Sequence, residues 1–296
     1  MSDDNKTPLA ASVRDRLFNL TKTRGEFFDL ILVRYALERF LFRLSITENK
    51  SEFILKGAML FQIWSDRPFR PTRDLDLLAV GEVNMGLIAE KIKTICEAQI
   101  EDDGLFFDLC KLTVEEIRED DRYGGVRAKF TARLGSARIP IQIDFGIGDA
   151  VTPPPIESEY PSLLNMPHPV ILAYPRETVI AEKLEAIVEL GVTNSRMKDY
   201  FDLWFLATTY KDDFDVLALA LKRTFDRRHQ SIPQDIPAGL SDDFAQDPAK
   251  QKQWSSFQMK VTGSSGEFIE IVMAIRAFAM PVFEAASRLQ ILRHDA

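Results

Sequence analysis

Two aspartates, Asp74 and Asp76, lie one residue apart in the segment FRPTRDLDLLAV, residues 69–80. Apolar residues alternate with them, so the segment is predicted to form a strand with both carboxylates on one face, about 6–7 Å apart at their Cα atoms. Two like charges held this close repel each other unless a cation lies between them. Hard carboxylate oxygens are the ligands that Mg²⁺ prefers, with water and substrate phosphates completing its shell. The pair therefore predicts a divalent-cation site, with Mg²⁺ expected and Mn²⁺ as the alternative.

A third acid, Asp144, lies in the segment IPIQIDFG, where apolar and polar residues alternate. The preceding segment VRAKFTARL alternates in the same way, so the two are predicted to form a hairpin. We expect Leu134 to pair with Ile139. In that register Lys129 lies opposite Asp144, on the face away from the core. Asp144 would then complete a two-cation site, where one cation activates an attacking oxygen and the other neutralises a leaving pyrophosphate.

The D-x-D pattern alone is common, and its context decides between interpretations. A second copy, Asp213 and Asp215, opens a helical pattern, where acidic residues are favoured by the helix dipole. The first copy instead follows the segment LKGAMLF, in which a predicted strand becomes a helix at Gly57. The backbone there is either an ordinary tight turn or a place where a phosphate approaches closely, with Lys56 nearby.

A second group of charged residues lies in two predicted helices further along the chain. Lys183 lies off the apolar face of the helix ETVIAEKLEAIVELG, and the next helix is expected to be capped by Asn194. In that helix Lys198 and Asp202 are four residues apart, which makes them neighbours on one face. The two alternatives are a surface ion pair and the charged rim of a cleft.

Composition indicates a globular protein. The chain has 296 residues, of which 46% are hydrophobic and 28% charged, which suits one large domain or two of ordinary size. No apolar stretch is long enough to span a membrane, and the first residues lack the pattern of a secretion signal. We therefore expect a cytoplasmic protein with no membrane partner. Its two cysteines, Cys96 and Cys110, match no metal-binding spacing.

The order of the patterns predicts two domains. Strand and helix patterns alternate in the first half, whereas only helical patterns follow Arg176. Between them the proline-rich segment VTPPPIESEYPSLLNMPHPV, residues 151–170, is interpreted as a linker. We predict an α/β domain with N-terminal helices over residues 1–155 and a helical domain over residues 156–296.

Charge is unevenly distributed. The net charge of −8 argues against sequence-blind binding of nucleic acid over the whole surface. Basic residues still cluster near the acids, and they form either a wall for RNA phosphates or an ordinary solvated face. The clustered residues are Arg67, Arg70, Arg73, Arg127, Lys129, Arg133 and the segment KRTFDRRH, residues 222–229.

The segments FILKGAMLFQIW, RPTRDLDLLAV and VIAEKLEAIVELGVTNSRMKDYFDLWFL together resemble the AbiEii/AbiGii-type nucleotidyltransferase toxins. These are the toxins of type IV toxin–antitoxin and abortive-infection systems and are related to the MenT toxins. The shared motifs are a K-G-(G/A/S) turn, an R-x-(S/T)-x-D-x-D strand and a later A-E-K-L…R-x-K-D-x-x-D helix pair. The resemblance implies a mixed α+β fold, with a polymerase-β-like nucleotidyltransferase domain followed by a helical C-terminal domain.

The resemblance also assigns roles to residues. The implied catalytic residues are Asp74, Asp76, Lys183 and Asp202, with Asp199 as the alternative to Asp202. The implied metal ligands are Asp74, Asp76 and Asp144. The implied nucleotide-binding residues are Lys56, Gly57, Ala58, Arg196, Lys198 and Asp199. The family's turn usually reads G-G or G-S, whereas Ala58 has no hydroxyl, so a phosphate contact there has to come from the backbone N–H.

The implied activity is the transfer of a nucleoside monophosphate from an NTP to an acceptor, which we expect to be the 3′ end of tRNA. The implied partner is an antitoxin carried on a separate chain. Two alternatives remain open: the same fold acting on a small-molecule or protein hydroxyl, and a catalytically inactive binding module. Thr72 is either a modification point or an ordinary threonine at the start of a strand.

Overall fold

The computed structural model of the chain describes residues 8–65, 70–117, 124–211, 213–261 and 266–289. Arg67, one of the clustered basic residues, lies outside these ranges. The chain divides into two compact units. The first consists of Met1–Gly148 and Ile156–Ala173, and the second of Asp149–Pro155 and Tyr174–Ala296. Among the described residues, no helix is both long and apolar enough to cross a membrane.

The first unit is built on a mixed sheet. Its helices are α1 (Pro8–Arg24), α2 (Phe28–Ser45), α3 (Phe61–Trp64) and α4 (Met85–Cys96). Its strands are β1 (Phe53–Lys56), β2 (Asp74–Ala79), β3 (Leu105–Ile117), β4 (Gly125–Leu134), β5 (Ala137–Ile147), β6 (Ile156–Glu159) and β7 (Val170–Ala173). The sheet order is β3-β4-β5-β2-β1-β7-β6. Strand β2 is parallel to β5 and antiparallel to β1, so the sheet is mixed, and the mixed α+β fold class is confirmed.

One face of this sheet is the core of the unit. Burial alternates along β4 and β5, because every second side chain points to the buried face. Helix α2 packs on β5 and buries most of its length. The rings of Phe40, Phe107 and Phe130 meet there with centroids 5.9–6.2 Å apart. The polar side chains of the same strands lie on the opposite face.

The hairpin between β4 and β5 differs from the predicted register. Leu134 pairs with Ala137 rather than Ile139, because Gly135, with φ of 58°, allows a two-residue turn. The shift of two residues leaves every side chain on its predicted face. It places Arg127, not Lys129, opposite Asp144.

The glycine turn also differs in detail from the prediction. A 3₁₀ turn, Gly57–Leu60, precedes the single-turn helix α3, where a longer helix starting at the glycine was expected.

The segment predicted to be a linker belongs to the sheet. Strand β7 pairs parallel to β1, and β6 pairs antiparallel to β7, so residues 156–173 return to the first unit. Helix α2 holds the chain between these strands: Glu38 accepts hydrogen bonds from the Ser162 hydroxyl and the Leu163 N–H, and Arg39 donates to the Pro167 carbonyl. The division therefore differs from the single boundary predicted after residue 155.

The second unit is helical. Its helices are α5 (Arg176–Leu190), α6 (Met197–Thr209), α7 (Phe214–Arg227), α8 (Asp242–Gln246), α9 (Pro248–Gln258) and α10 (Phe268–Arg288). No strand occurs among the described residues from 174 to 289, as predicted. Helix α7 packs on α5, and α10 packs on α6 and α7. Asn194 is not the cap of α6, because its side chain accepts the Arg196 N–H in the turn before the helix begins.

Candidate active site

The pairing of β2 with β5 brings the three predicted metal ligands together. Asp76 lies opposite Asp144, and Asp74 lies opposite Gln142. Leu75 and Leu77, on either side of Asp76, are buried, and all three carboxylates lie half-buried on the opposite face. One oxygen of each carboxylate lies within 4.8 Å of the other two. The geometry thus places three hard oxygen donors around one small volume.

The glycine turn lies directly against Asp76. Strand β1 pairs Lys56 with Asp76, and Gly57 follows with φ of 72°. A Cβ at Gly57 would lie 2.0 Å from Oδ2 of Asp76 and 2.6 Å from its Cγ, so no larger residue fits while Asp76 keeps this position. Ala58 is buried behind the turn, with 8% of its surface exposed. The predicted nucleotide-binding turn therefore borders the carboxylates.

Asp144 is held by Arg127, a partner that the sequence register missed. Nε of Arg127 donates to Oδ1 and Nη2 to Oδ2, each at 2.7 Å, which is the two-pronged geometry of a strong ion pair. The Gln142 amide also donates to Oδ2 at 3.4 Å. The dipeptide Gly135-Ser136, typical of a two-residue hairpin turn, is the signal that would have given the right register.

Asp74 is oriented by the residue two positions before it. The Thr72 hydroxyl donates a hydrogen bond to Oδ1 of Asp74 and also lies 3.4 Å from its backbone carbonyl. This contact gives Thr72 a local structural role at the start of β2.

The residues present fit a hard divalent cation. Three carboxylates converge on the same face, and the missing Cβ of Gly57 lets the Asp76 carboxylate lie among them. Carboxylate oxygens of this kind suit Mg²⁺ or Mn²⁺ rather than softer metals. Arg127 engages both oxygens of Asp144, so a cation at this carboxylate would share it with the guanidinium or displace it.

The remaining predicted residues lie in the second unit, around Lys183. Nζ of Lys183 lies 2.6 Å from Oδ1 of Asp199 and 2.9 Å from Oδ2 of Asp202. The side chain of Asp202 has 0% exposure and that of Lys183 has 15%. Lys198 and Arg196 are exposed. Of the two alternatives for Lys198 and Asp202, the surface ion pair does not fit, because Asp202 is buried and binds Lys183.

Several of the clustered basic residues form ion pairs with acids. Lys129 pairs with Glu115 at 2.6 Å, Arg133 pairs with Asp108 at 2.5 Å, and Arg73 pairs with Asp29. Hydrogen bonds from these cations lower the pKa values of all three carboxyls. In the segment 222–229, Arg228 instead lies inward and pairs with the buried Glu185. That segment is therefore only partly available to an external ligand.

Three acids converge on one face of a mixed sheet beside a glycine turn, and the second unit of the chain is helical. Residues 39–285 match the family described as the nucleotidyl transferase AbiEii toxin of type IV toxin–antitoxin systems. The chain belongs to this family, which confirms the resemblance found in the sequence.

Two solved structures are similar to the chain. One is JHP933 from Helicobacter pylori, with 18% identity, a TM-score of 0.49, and coverage of 88% of this chain and 94% of that one. The other is a protein of the same organism described as a candidate nucleotidyltransferase, with 17% identity, a TM-score of 0.46, and coverage of 88% and 98%. No curated protein matches the chain significantly. The family implies that the toxin takes an NTP as substrate and has an antitoxin as its partner.

Proposed function

We propose that this toxin transfers a nucleoside monophosphate from an NTP to the 3′ end of tRNA, in a reaction that needs Mg²⁺ or Mn²⁺. The observation that carries the proposal is the convergence of Asp74, Asp76 and Asp144 within 4.8 Å, beside a turn that only glycine can form. Carboxylates in this arrangement hold the cations that nucleotidyl transfer requires.

The chemistry joins one oxygen to phosphorus and releases another. The acceptor hydroxyl oxygen attacks the α-phosphorus of the NTP, the bond from that phosphorus to the bridging oxygen breaks, and pyrophosphate leaves with the bond's electrons. The hydroxyl proton passes to a carboxylate of the site and then to solvent. A bound divalent cation would supply positive charge for the attacking and leaving oxygens. The protein's own part is positioning: Thr72, Gly57 and Arg127 fix the three acids.

Lys56 and the backbone N–H groups of Gly57 and Ala58 are proposed to hold the triphosphate. Lys183 is proposed to contact the nucleotide, with Arg196 and Lys198 as further contacts. The complete burial of Asp202 favours a role in positioning Lys183 over direct contact with the substrate, and Asp199 supports the same lysine.

The test is a transfer assay that leaves the acceptor open. Purified protein is incubated with each α-³²P-labelled NTP, with Mg²⁺, Mn²⁺ or EDTA, and separately with total tRNA, ribosomal RNA, total protein and a small-molecule extract. We expect label in tRNA alone, lost in EDTA, from one or a few of the nucleotides. Label in the protein or small-molecule fraction would overturn the assignment of the acceptor, and label in EDTA would overturn the metal requirement.

A further inference from the structure

A cavity of about 410 Å³ opens beside Asp74, on the side of β2 that faces away from the glycine turn. Its polar lining comes from Arg73, Lys129 and Gln142, together with Asp74 itself. Its apolar lining is Val33, Phe130, Pro140 and Ile141. The volume falls within the range of small-ligand pockets, about 300–1,000 Å³, and has room for one nucleotide.

The cavity and the glycine turn lie on different sides of the acids, which allows one to take the NTP and the other the acceptor. Lys56 and Gly57 border the acids from β1, whereas the cavity borders them from β5 and β4. In nucleotidyl transfer the attacking and leaving oxygens lie in line on opposite sides of the phosphorus. If the turn takes the triphosphate, as the proposed function requires, the attacking hydroxyl has to come from the cavity side.

The charges of the cavity favour a phosphate-bearing acceptor. Lys129, Gln142 and Asp74 form one row across three adjacent strands. Arg73 precedes Asp74 in the chain and lines the same cavity, so two cations and an amide lie around the acid. The ion pairs Arg73–Asp29 and Lys129–Glu115 are exposed, with side chains 47–60% accessible, and exposed pairs are weak enough for a phosphate to replace the carboxylate. A polycationic small molecule would meet two like charges here.

We propose that this cavity is the acceptor site, and that it binds the terminal nucleotide of a single-stranded RNA 3′ end. Arg73 and Lys129 contact its phosphates, and Gln142 contacts its sugar or base. The 3′-hydroxyl is thereby presented to the carboxylates from the side opposite the triphosphate. This inference rests on the proposed function for the placement of the triphosphate.

The experiment measures binding and not turnover. A fluorescein-labelled RNA hairpin with a four-nucleotide single-stranded 3′ end is titrated with wild type, Lys129→Gln and Arg73→Gln, and anisotropy is recorded. Binding of a non-hydrolysable NTP analogue with Mn²⁺ is measured by calorimetry on the same proteins. The matched control is Arg138→Gln, which removes one charge from the same hairpin face, four residues and roughly 13 Å along β5 from Gln142.

Each of the two variants is expected to bind the RNA about fivefold to tenfold more weakly, because it loses a charge-assisted phosphate contact. The slope of log K for RNA binding against log salt concentration should fall by about one phosphate contact. Binding of the NTP analogue by each variant should match wild type, and so should RNA binding by the control. Weaker analogue binding with unchanged RNA binding would assign the cavity to the NTP and overturn the proposal. Equal effects of the variants and the control, or no RNA binding by wild type, would also overturn it. Selective weakening in a protein that transfers nothing to RNA would support the cavity and refute the proposed function.

Discussion

Each carboxylate of the candidate site has a different neighbour that fixes it. Thr72 donates to Asp74, the bare Cα of Gly57 gives Asp76 its space, and Arg127 grips Asp144 with two hydrogen bonds. None of these three neighbours carries a carboxylate. Substituting one of them therefore disturbs the position of an acid without removing a predicted metal ligand.

Gly57→Ala is predicted to destroy the site, and Gly81→Ala is its control. Both glycines have positive φ, of 72° and 88°, so each variant pays about 1 kcal/mol of backbone strain. Only at Gly57 does the new Cβ also collide with Asp76, whereas nothing lies within 4 Å at Gly81. Calorimetry with Mn²⁺ should show at least about a tenfold loss of affinity in Gly57→Ala alone. Equal behaviour of the two variants would show that the collision has no consequence.

Arg127→Gln is predicted to raise the affinity for a divalent cation. It removes a positive charge and the two hydrogen bonds that Arg127 donates to Asp144. The free energy of unfolding should fall by about 1–2 kcal/mol, since two charge-assisted hydrogen bonds are lost. Arg133→Gln is the control, because Arg133 lies on the same face of β4 and binds Asp108 instead. Weaker cation binding in Arg127→Gln, measured by calorimetry, would mean that the arginine prepares the site rather than competing for it.

Among the elements, the hairpin shows what the sequence can and cannot determine. Alternation identified β4 and β5 and the faces of Asp144 and Arg127, but a register shift of two residues leaves alternation unchanged. The local pattern therefore could not name the partner of Asp144. Residue type and strand period predicted the face of each of the three acids. That β2 and β5 are neighbours was a hypothesis at the sequence level, and the strand pairing confirms it.

The strands β6 and β7 could not be read from their own residues. Each has four residues, and prolines surround them. Their pairing depends on β1, more than 100 residues earlier in the chain, and on polar contacts of α2. The prolines correctly excluded a continuous helix. The pairing of these strands with the sheet depends on residues far away in the chain, which the local pattern does not show.

Helices α5 and α6 are predicted to depend on Lys183. Its ammonium group neutralises Asp199 and the fully buried Asp202, so Lys183→Met leaves two inward carboxylates without this cation. Loss of one partner from a buried ion pair typically costs about 3–5 kcal/mol, and we expect about 3 kcal/mol in urea unfolding. Lys198→Met, on the exposed face of α6, should change stability by less than about 0.5 kcal/mol. Similar losses in both variants would contradict this role.

Helix α2 is predicted to make stability depend on pH through Glu38. Burial raises the pKa of this carboxyl above its usual 4.5, and hydrogen bonds from Leu163 and Ser162 offset only part of that rise. A raised folded-state pKa gives a contribution to stability that is complete below pH 4.5 and is lost as pH rises through the folded-state value. The unfolding free energy of wild type should therefore fall relative to that of Glu38→Gln as the pH rises from 4.5 to 7.5. Parallel profiles in urea unfolding would refute the raised pKa.

For the whole molecule, an acidic chain with net charge −8 has basic side chains beside the three acids of the candidate site. Cations lie on both sides of the acids, Lys56 on β1 and Arg127 on β4, in one row across four adjacent strands. Overall charge thus limits unspecific binding of polyanions, while the two basic side chains of the row balance the charges of Asp76 and Asp144. The family membership and the triad agree on nucleotidyl transfer as the activity of this toxin.

The central claim is that the three carboxylates perform this transfer. The most direct measurement is the initial rate of label transfer from an α-³²P-NTP to tRNA by wild type, Asp76→Asn and the control Asp108→Asn. Asp108 is a carboxylate of the same sheet that binds Arg133 and lies outside the triad. We predict wild-type rates for the control and a loss of at least about a thousandfold for Asp76→Asn. A wild-type rate in folded Asp76→Asn would contradict the account.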